Sequence, residues 1–337
     1  MADADLTFDA IASTTLNNYR KTLTDNIFNE HPLLYWLKDK GRVRMLSGGD
    51  QIIEPIIHIP GDTPATDGGA RTTGSYGEYE DIDITPVNTA TAAAYDWKTI
   101  VGSIAISGLE ELKNSGEEAL INLLEAKIMQ AEETMKSNLS TMLWNTSLAE
   151  TTDVLGLPQI IDSTGNTIGG ISVADFSGWA SVEQDKTAVA FADVDLRAMV
   201  RSIHNTTSRG GKNGPDVVFS GQTLFENYES DLVPALRYSS TKLADSGFRN
   251  LEVNGIPWMW DYDCPANQIF GIASKYLGLV GHKDRWFKQT KFSEGLSAAD
   301  GGVATTVDAR YALITAALEL TCRNRRRHFK LINVATS

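Results

Sequence analysis

Apolar residues recur at Leu120, Leu123, Leu124, Ile128, Ala131, Met135, Leu139, Met142 and Leu143. These steps of three and four keep them on one stripe of a helix. Glu125, Lys127, Glu132, Glu133 and Lys136 fall on the other face. Ser115 and Glu118 have the spacing of a capping box, and no proline or glycine interrupts the run after Gly116. The pattern predicts one helix over 115–146, on the order of 45 Å long at about 1.5 Å per residue. A single apolar stripe on so long a helix marks a spine: one side holds a thin sheet, the other faces solvent or a neighbouring chain.

Before the spine the pattern changes twice. A modest helix is predicted over 7–28, with Ile11, Thr15, Tyr19, Leu23 and Ile27 spaced by four, then a short one opening at Pro32 and carrying Leu33, Leu34, Trp36 and Leu37. Lys38 to Arg44 is basic, with Gly41 ending the anchor. This arm is too small for its own core and must lie on something else. Gln51 to Ile59 is isoleucine-rich with Pro55 and Pro60, an edge-strand pattern. Gly61 to Gly77 is a glycine- and threonine-rich tip, and Tyr79 to Ile84 mixes apolar with acidic residues. Thr89 to Ile106 is β-prone again. The reading is a two-stranded excursion, 51–59 against about 78–95, too thin to be stable in water unless another molecule covers it. A local meander inside the main domain is the alternative.

After the spine, 154–161 reads as a tight turn into a strand and 193–204 as a helix. Asp216 to Ser220 reads as a buried strand, with Ser220 capping the helix that follows. Strands are then predicted over 251–262, 268–273, 276–281 and 285–292. A long one over 308–333 carries Arg323, Arg325, Arg326, Arg327, His328 and Lys330. Alternating helices and strands make this second region a compact mixed domain.

Composition narrows the function. The 337 residues suffice for two domains or one large discontinuous one. A net charge of −13 argues against a general nucleic-acid coat and favours weak repulsion between copies. The acidic N-terminus has no apolar core and is not expected to be a signal peptide, and no run reaches the ~20 apolar residues of a membrane span. Cys264 and Cys322 are far apart and are expected to be free, packed thiols. Chemistry is scarce. Gly68 to Gly74 is not a dinucleotide fingerprint, and Gly210-Gly211-Lys212 lacks the hydroxyl residue that follows the lysine of a phosphate loop. The five histidines have no ligand spacing, no nucleophile elbow exists, and Asp261 with Asp263 makes no calcium loop. No catalytic residue, metal site or cofactor is expected.

The order of elements resembles the major capsid proteins of tailed bacteriophages, the Hong Kong 97-type fold. The likeness is carried by Pro32-Leu-Leu-Tyr-Trp-Leu37, by Gly48-Gly49 opening the hairpin, and by the spine. It continues through Gly156-Leu157-Pro158, Gly169-Gly170-Ile171, Trp179, Ile269-Phe270-Gly271 and Tyr276-Leu277-Gly278-Leu279. The resemblance implies an α+β fold. It has an N-terminal arm (1–47), an extended hairpin loop (48–98), a peripheral domain with the spine helix (99–155 and 271–337) and a mixed axial domain (156–270). It implies copies of itself as the chief partner, in hexamers and pentamers of an icosahedral shell around double-stranded DNA, assembled in the bacterial cytoplasm. A portal and a separate scaffolding protein would be further partners. An encapsulin-like compartment enclosing a cargo enzyme is the alternative.

Inter-subunit candidates are Asp62, Arg71 and Tyr76 of the tip, the acidic Glu78, Glu80, Asp81 and Asp83, and the basic Arg323, Arg325 and Arg327. Alternation along a strand puts those three arginines on one face. Arginine forks suit carboxylates, so pairing with an adjacent subunit is favoured over packaged DNA, and a solvated strand edge remains open.

Overall fold

A computed structural model describes residues 31–57, 77–79, 90–113, 123–147, 152–163, 167–174, 176–187, 196–209, 214–231, 251–253, 255–300 and 303–334. The helix expected over 7–28, the capping box at Ser115 and Glu118, the hairpin tip up to Tyr76 and the lysine of 210–212 lie outside these residues.

In chain order the elements begin with α1 (Pro32–Asp39), β1 (Val43–Leu46), β2 (Gln51–Ile57), β3 (Ala90–Asp96), β4 (Lys98–Ser107), α2 (Gly108–Lys113) and α3 (Leu123–Leu143). They continue with α4 (Leu157–Ile160), β5 (Val182–Asp185), α5 (Leu196–Ser208), β6 (Val217–Ser220), α6 (Gln222–Asp231), β7 (Leu251–Val253), β8 (Ile256–Trp260) and β9 (Ile269–Ile272). The last are β10 (Leu277–His282), β11 (Lys288–Gln289), β12 (Ser293–Asp300), β13 (Val303–Cys322) and β14 (Phe329–Ile332). The chain divides into two compact units, one of residues 1–30, 99–138 and 284–316, the other of 31–98, 139–283 and 317–337.

In the first unit, β12 pairs antiparallel with β13 from Asp300↔Val303 to Ser293↔Tyr311, and β11 adds Lys288↔Thr315. Along β4, Ile100, Ile104 and Ile106 are buried while Val101 is exposed, the alternation of a half-buried strand. Met135 of α3 is buried, and a Cβ on Gly102 of β4 would lie 2.7 Å from its sulfur. Lys127 bridges Glu110 at 2.9 Å across the α2–α3 side of this unit.

The second unit is built on a mixed six-stranded sheet in the order β5-β14-β9-β6-β8-β7. One face carries Val218, Trp258, Ile269, Phe329 and Leu331, which form one core with Val200 and Ile203 of α5 and Leu224, Phe225 and Tyr228 of α6. Phe219 and Phe270 alternate with these residues and point to the other face. There Phe219 meets Trp36 of α1 edge-on at 6.1 Å, and both phenylalanines meet Trp144, just past α3. The arm's apolar run is thereby seated on its own chain. The Leu33 N–H, one of the unpaired donors of the first turn of α1, donates to the buried Asp261 carboxylate at 3.4 Å. A second layer joins β1, parallel to β10, with the end of β13, antiparallel to it from Leu277↔Cys322 to Gly281↔Leu318.

Several elements differ from the sequence reading. The strand expected over 251–262 is a hairpin, β7 and β8, turning at Gly255 with φ 81°. Residues 154–161 close in the short helix α4, where a Cβ on Gly156 would overlap the Asn145 carbonyl. The Ser220 hydroxyl does not cap α6; it accepts the Trp258 indole N–H at 2.8 Å. Only Lys288–Gln289 pairs within 285–292. The expected 308–333 strand is two strands separated by a 3-10 turn at Arg325–Arg327.

Candidate assembly site

The site begins with a carboxylate in an inward register. In β2, Ile52, Glu54 and Ile56 share one side of the strand, and Glu54 is only 2% exposed. β2 pairs antiparallel with the alanine-rich β3, from Gln51↔Asp96 to Ile57↔Ala90. Glu54 takes an ion pair from Arg44 of β1 and another from the Arg323 Nε at 2.7 Å, and the Thr321 hydroxyl lies at 3.4 Å. Burial, with the neighbouring charge of Arg323, holds Arg44 below the ordinary guanidinium value. A buried carboxylate between two arginines ties the base of the hairpin to β1 and to the end of β13.

Past Cys322 the chain turns. The His328 N–H donates to the Arg325 carbonyl at 3.0 Å, closing the 3-10 turn. Arg325 is fully buried; its Nε donates to the Ile160 carbonyl at 2.6 Å, its Nη2 to the Asp162 carbonyl at 3.0 Å, and it lies over the Trp179 ring at 5.8 Å. Desolvation lowers its pKa. Arg327 Nη1 donates to the Thr207 and Ser208 carbonyls at 3.4 and 3.3 Å, a cation at the C-terminal, negative end of α5. Beneath the turn, His328 is buried and pushed down to about 3 by burial and by Arg325, so it is neutral. Its Nδ1 accepts the Ala273 N–H at 3.2 Å. The Tyr95 hydroxyl donates to the Cys322 carbonyl at 2.8 Å.

These elements line a cleft of about 820 Å³ within the second unit. Among the described residues its cations are Arg42, Arg209, Lys275, Arg323, Arg326 and Arg327, and no described aspartate or glutamate lines it.

The expectation that Arg323, Arg325 and Arg327 share one face of a strand is thus corrected. A turn of about three residues replaces the two-residue alternation, so Arg325 points into its own chain while Arg326 joins Arg323 and Arg327 at the cleft. Glu78 is exposed. Asp62, Arg71, Tyr76, Glu80, Asp81 and Asp83 lie outside the described residues. Sequence reasoning missed Glu54, Arg42, Arg44, Arg209 and Lys275. A signal for Glu54 was present: a lone carboxylate at an inward position between two isoleucines. Among the described residues no group of three His, Cys, Asp or Glu is placed to hold a metal, and no helix is long and apolar enough to cross a membrane.

Two layers of mixed sheet, an amino-terminal anchor, the antiparallel pair β2 and β3 and a long helix belong to a fold shared by phage capsid proteins and an encapsulin. The capsid asymmetric unit of cyanophage A-1(L) matches with a TM-score of 0.64 at 16% identity, over 95% of this chain and 97% of that one. The capsid of Myoviridae phage XM1 matches at 0.54 and 11% identity, over 94% and 96%. A holo-encapsulin complex from Synechococcus elongatus matches at 0.52 and 10% identity, over 100% and 98%. The likeness is one of fold and runs through nearly the whole chain. No protein-family model matches, and no curated protein matches in sequence.

Proposed function

We propose that this chain is the major head protein of a tailed phage, of the Hong Kong 97 type. It assembles into hexamers and pentamers of an icosahedral shell that encloses double-stranded DNA, with a portal and a scaffolding protein as partners. In this reading residues 1–47 are the arm, 48–98 the extended loop, 99–155 with 271–337 the peripheral domain and 156–270 the axial domain. Assembly takes place in the host cytoplasm, and the product is the virion capsid. The observation that carries the reading is the near full-length match to capsid subunits. Exposed apolar side chains support it: Leu109, Leu112 and Met129 are each more than half exposed in the single chain, surface that a neighbouring copy would cover.

The encapsulin match favours a second reading, a compartment that encloses a protein cargo. Electron microscopy of the purified chain tests the class: closed shells are expected, and a protein that stays dispersed at every concentration and salt overturns it. Particles from the native source separate the readings, because nuclease-protected DNA marks a head and a co-purifying enzyme marks a compartment.

A further inference from the structure

Arg42 is a group that the fold leaves unfinished. Its backbone is in use: the N–H donates to the Leu37 carbonyl at 2.8 Å, and the carbonyl accepts the Leu279 N–H at 3.0 Å. Its side-chain Nε is buried and has no hydrogen-bond partner. A buried donor on a charged group is costly when unpaired, so such an atom marks a place for a water or an ion. Arg42 lines a small polar pocket of about 50 Å³, together with Arg44, Lys275, Tyr276, Thr321 and Arg323.

The charge around this pocket is unbalanced. Arg44 and Arg323 share a single carboxylate, that of Glu54, so these three groups keep one positive charge between them. Arg42 adds a second, and no described aspartate or glutamate lines the pocket. Lys275 is engaged with the Tyr276 ring at 5.5 Å and is not needed for the excess. The crowding acts on Arg44, which burial and repulsion by Arg323 hold below the ordinary guanidinium value. A water would satisfy the Arg42 donor and leave the charge. An oxyanion does both, and a guanidinium fork matches its oxygens. The pocket has room for roughly three to five waters or for one small ion, and is too small for a nucleotide or a peptide.

We propose that this pocket binds one tetrahedral oxyanion of the phosphate class, held by Arg42 and by the guanidinium nitrogens of Arg44 and Arg323 that Glu54 does not use. Glu54 takes Nη2 of Arg44 and Nε of Arg323, which leaves the other nitrogens of both forks. Arg42 and Arg44 stand at the start of β1, and Arg323 follows β13, so the bound ion braces one against the other. The site lies within one chain and does not depend on the shell reading. Free inorganic phosphate and the terminal phosphate of a nucleic acid share this chemistry.

The test is calorimetric titration of the full chain with inorganic phosphate at constant ionic strength, balanced with sodium chloride. Saturable binding of one ion per chain is expected, with a melting temperature that rises with phosphate concentration. Arg42→Gln should weaken binding about tenfold or more, because a hydrogen bond to a charged group is lost together with the charge. Arg42→Lys keeps the charge without the fork and should fall between the two. Lys288→Gln removes an equal charge from the exposed β11 and should change nothing. No saturable binding, the same gain in chloride alone, or equal affinity in the original and Arg42→Gln chains overturns the proposal. An equal loss in Lys288→Gln also overturns it, since net charge would then explain the effect. Should Arg42→Gln fail to fold, the original chain's response to phosphate against chloride decides. A 5′-phosphorylated single-stranded oligonucleotide then competes with the bound phosphate. Displacement that needs the terminal phosphate assigns the site to a nucleic-acid end, and no displacement assigns it to the free ion.

Discussion

Arg325 shows why residue type alone did not reveal its role. Three arginines in a row look like a surface feature, yet one is a core residue held by two backbone carbonyls and a tryptophan face. Arg325→Ala leaves both buried carbonyls without their charged donor, and urea unfolding of the unassembled chain should show a loss of about 3 kcal/mol. Glu319 of β13 is a second buried charge. Its carboxylate accepts the Leu155 N–H at 2.8 Å and the Leu320 N–H at 2.9 Å. Burial outweighs these bonds and raises the group from an ordinary 4.5 to about 7. Between those two values the folded chain holds a proton that the unfolded chain has released. Stability from this group is therefore present below about 4.5 and lost as pH rises through about 7. The loss is about 3 kcal/mol at most. Glu319→Gln should flatten that slope, checked by urea unfolding at pH values on either side of the window.

At the scale of elements, periodicity was a good guide where one face is buried and a poor one where backbone geometry decides. The apolar stripe of α3 is met by burial of Met135 and Leu139, and the short anchor helix begins at Pro32 as its sequence predicts. Gln51–Ile57 does form a strand, but it pairs with 90–96, beyond the acidic stretch. That register was hidden because alanines and threonines in β3 give little alternation to read. The turns at Gly255 and Arg325–Arg327 were missed for a related reason: both regions have strand-like side chains, and the break lies in φ and in a carbonyl partner. Gly271 of β9 states the same lesson sterically. It pairs with Phe329 of β14, and a Cβ there would overlap the Phe329 ring. Gly271→Ala should lower the melting temperature, with an overpacking cost of about 1–3 kcal/mol. Adding Phe329→Leu should recover part of the loss, and no recovery would place the cost elsewhere.

For the whole molecule, the order of elements pointed to a mixed helix-and-sheet fold like that of phage capsid proteins, and at that coarse level the structural matches agree over nearly the full chain at 10–16% identity. The cleft was illegible because its six cations come from positions 42 to 327. No local window contains them. The shell reading makes one prediction at this scale: deleting 62–77 should leave a folded chain, with unchanged circular dichroism, that yields no complete shells by electron microscopy. Normal particles would show that residues 62–77 are dispensable.

Cys264 and Cys322 are both buried, and burial lifts both thiols, Cys322 to about 12. A thiol this protonated reacts slowly with alkylating reagents, so the folded chain is chemically silent toward them. Each chain therefore carries its own record of damage: the fraction of chains alkylated after heating, counted by mass spectrometry, measures how many have opened, while intact chains in the same sample stay unmarked.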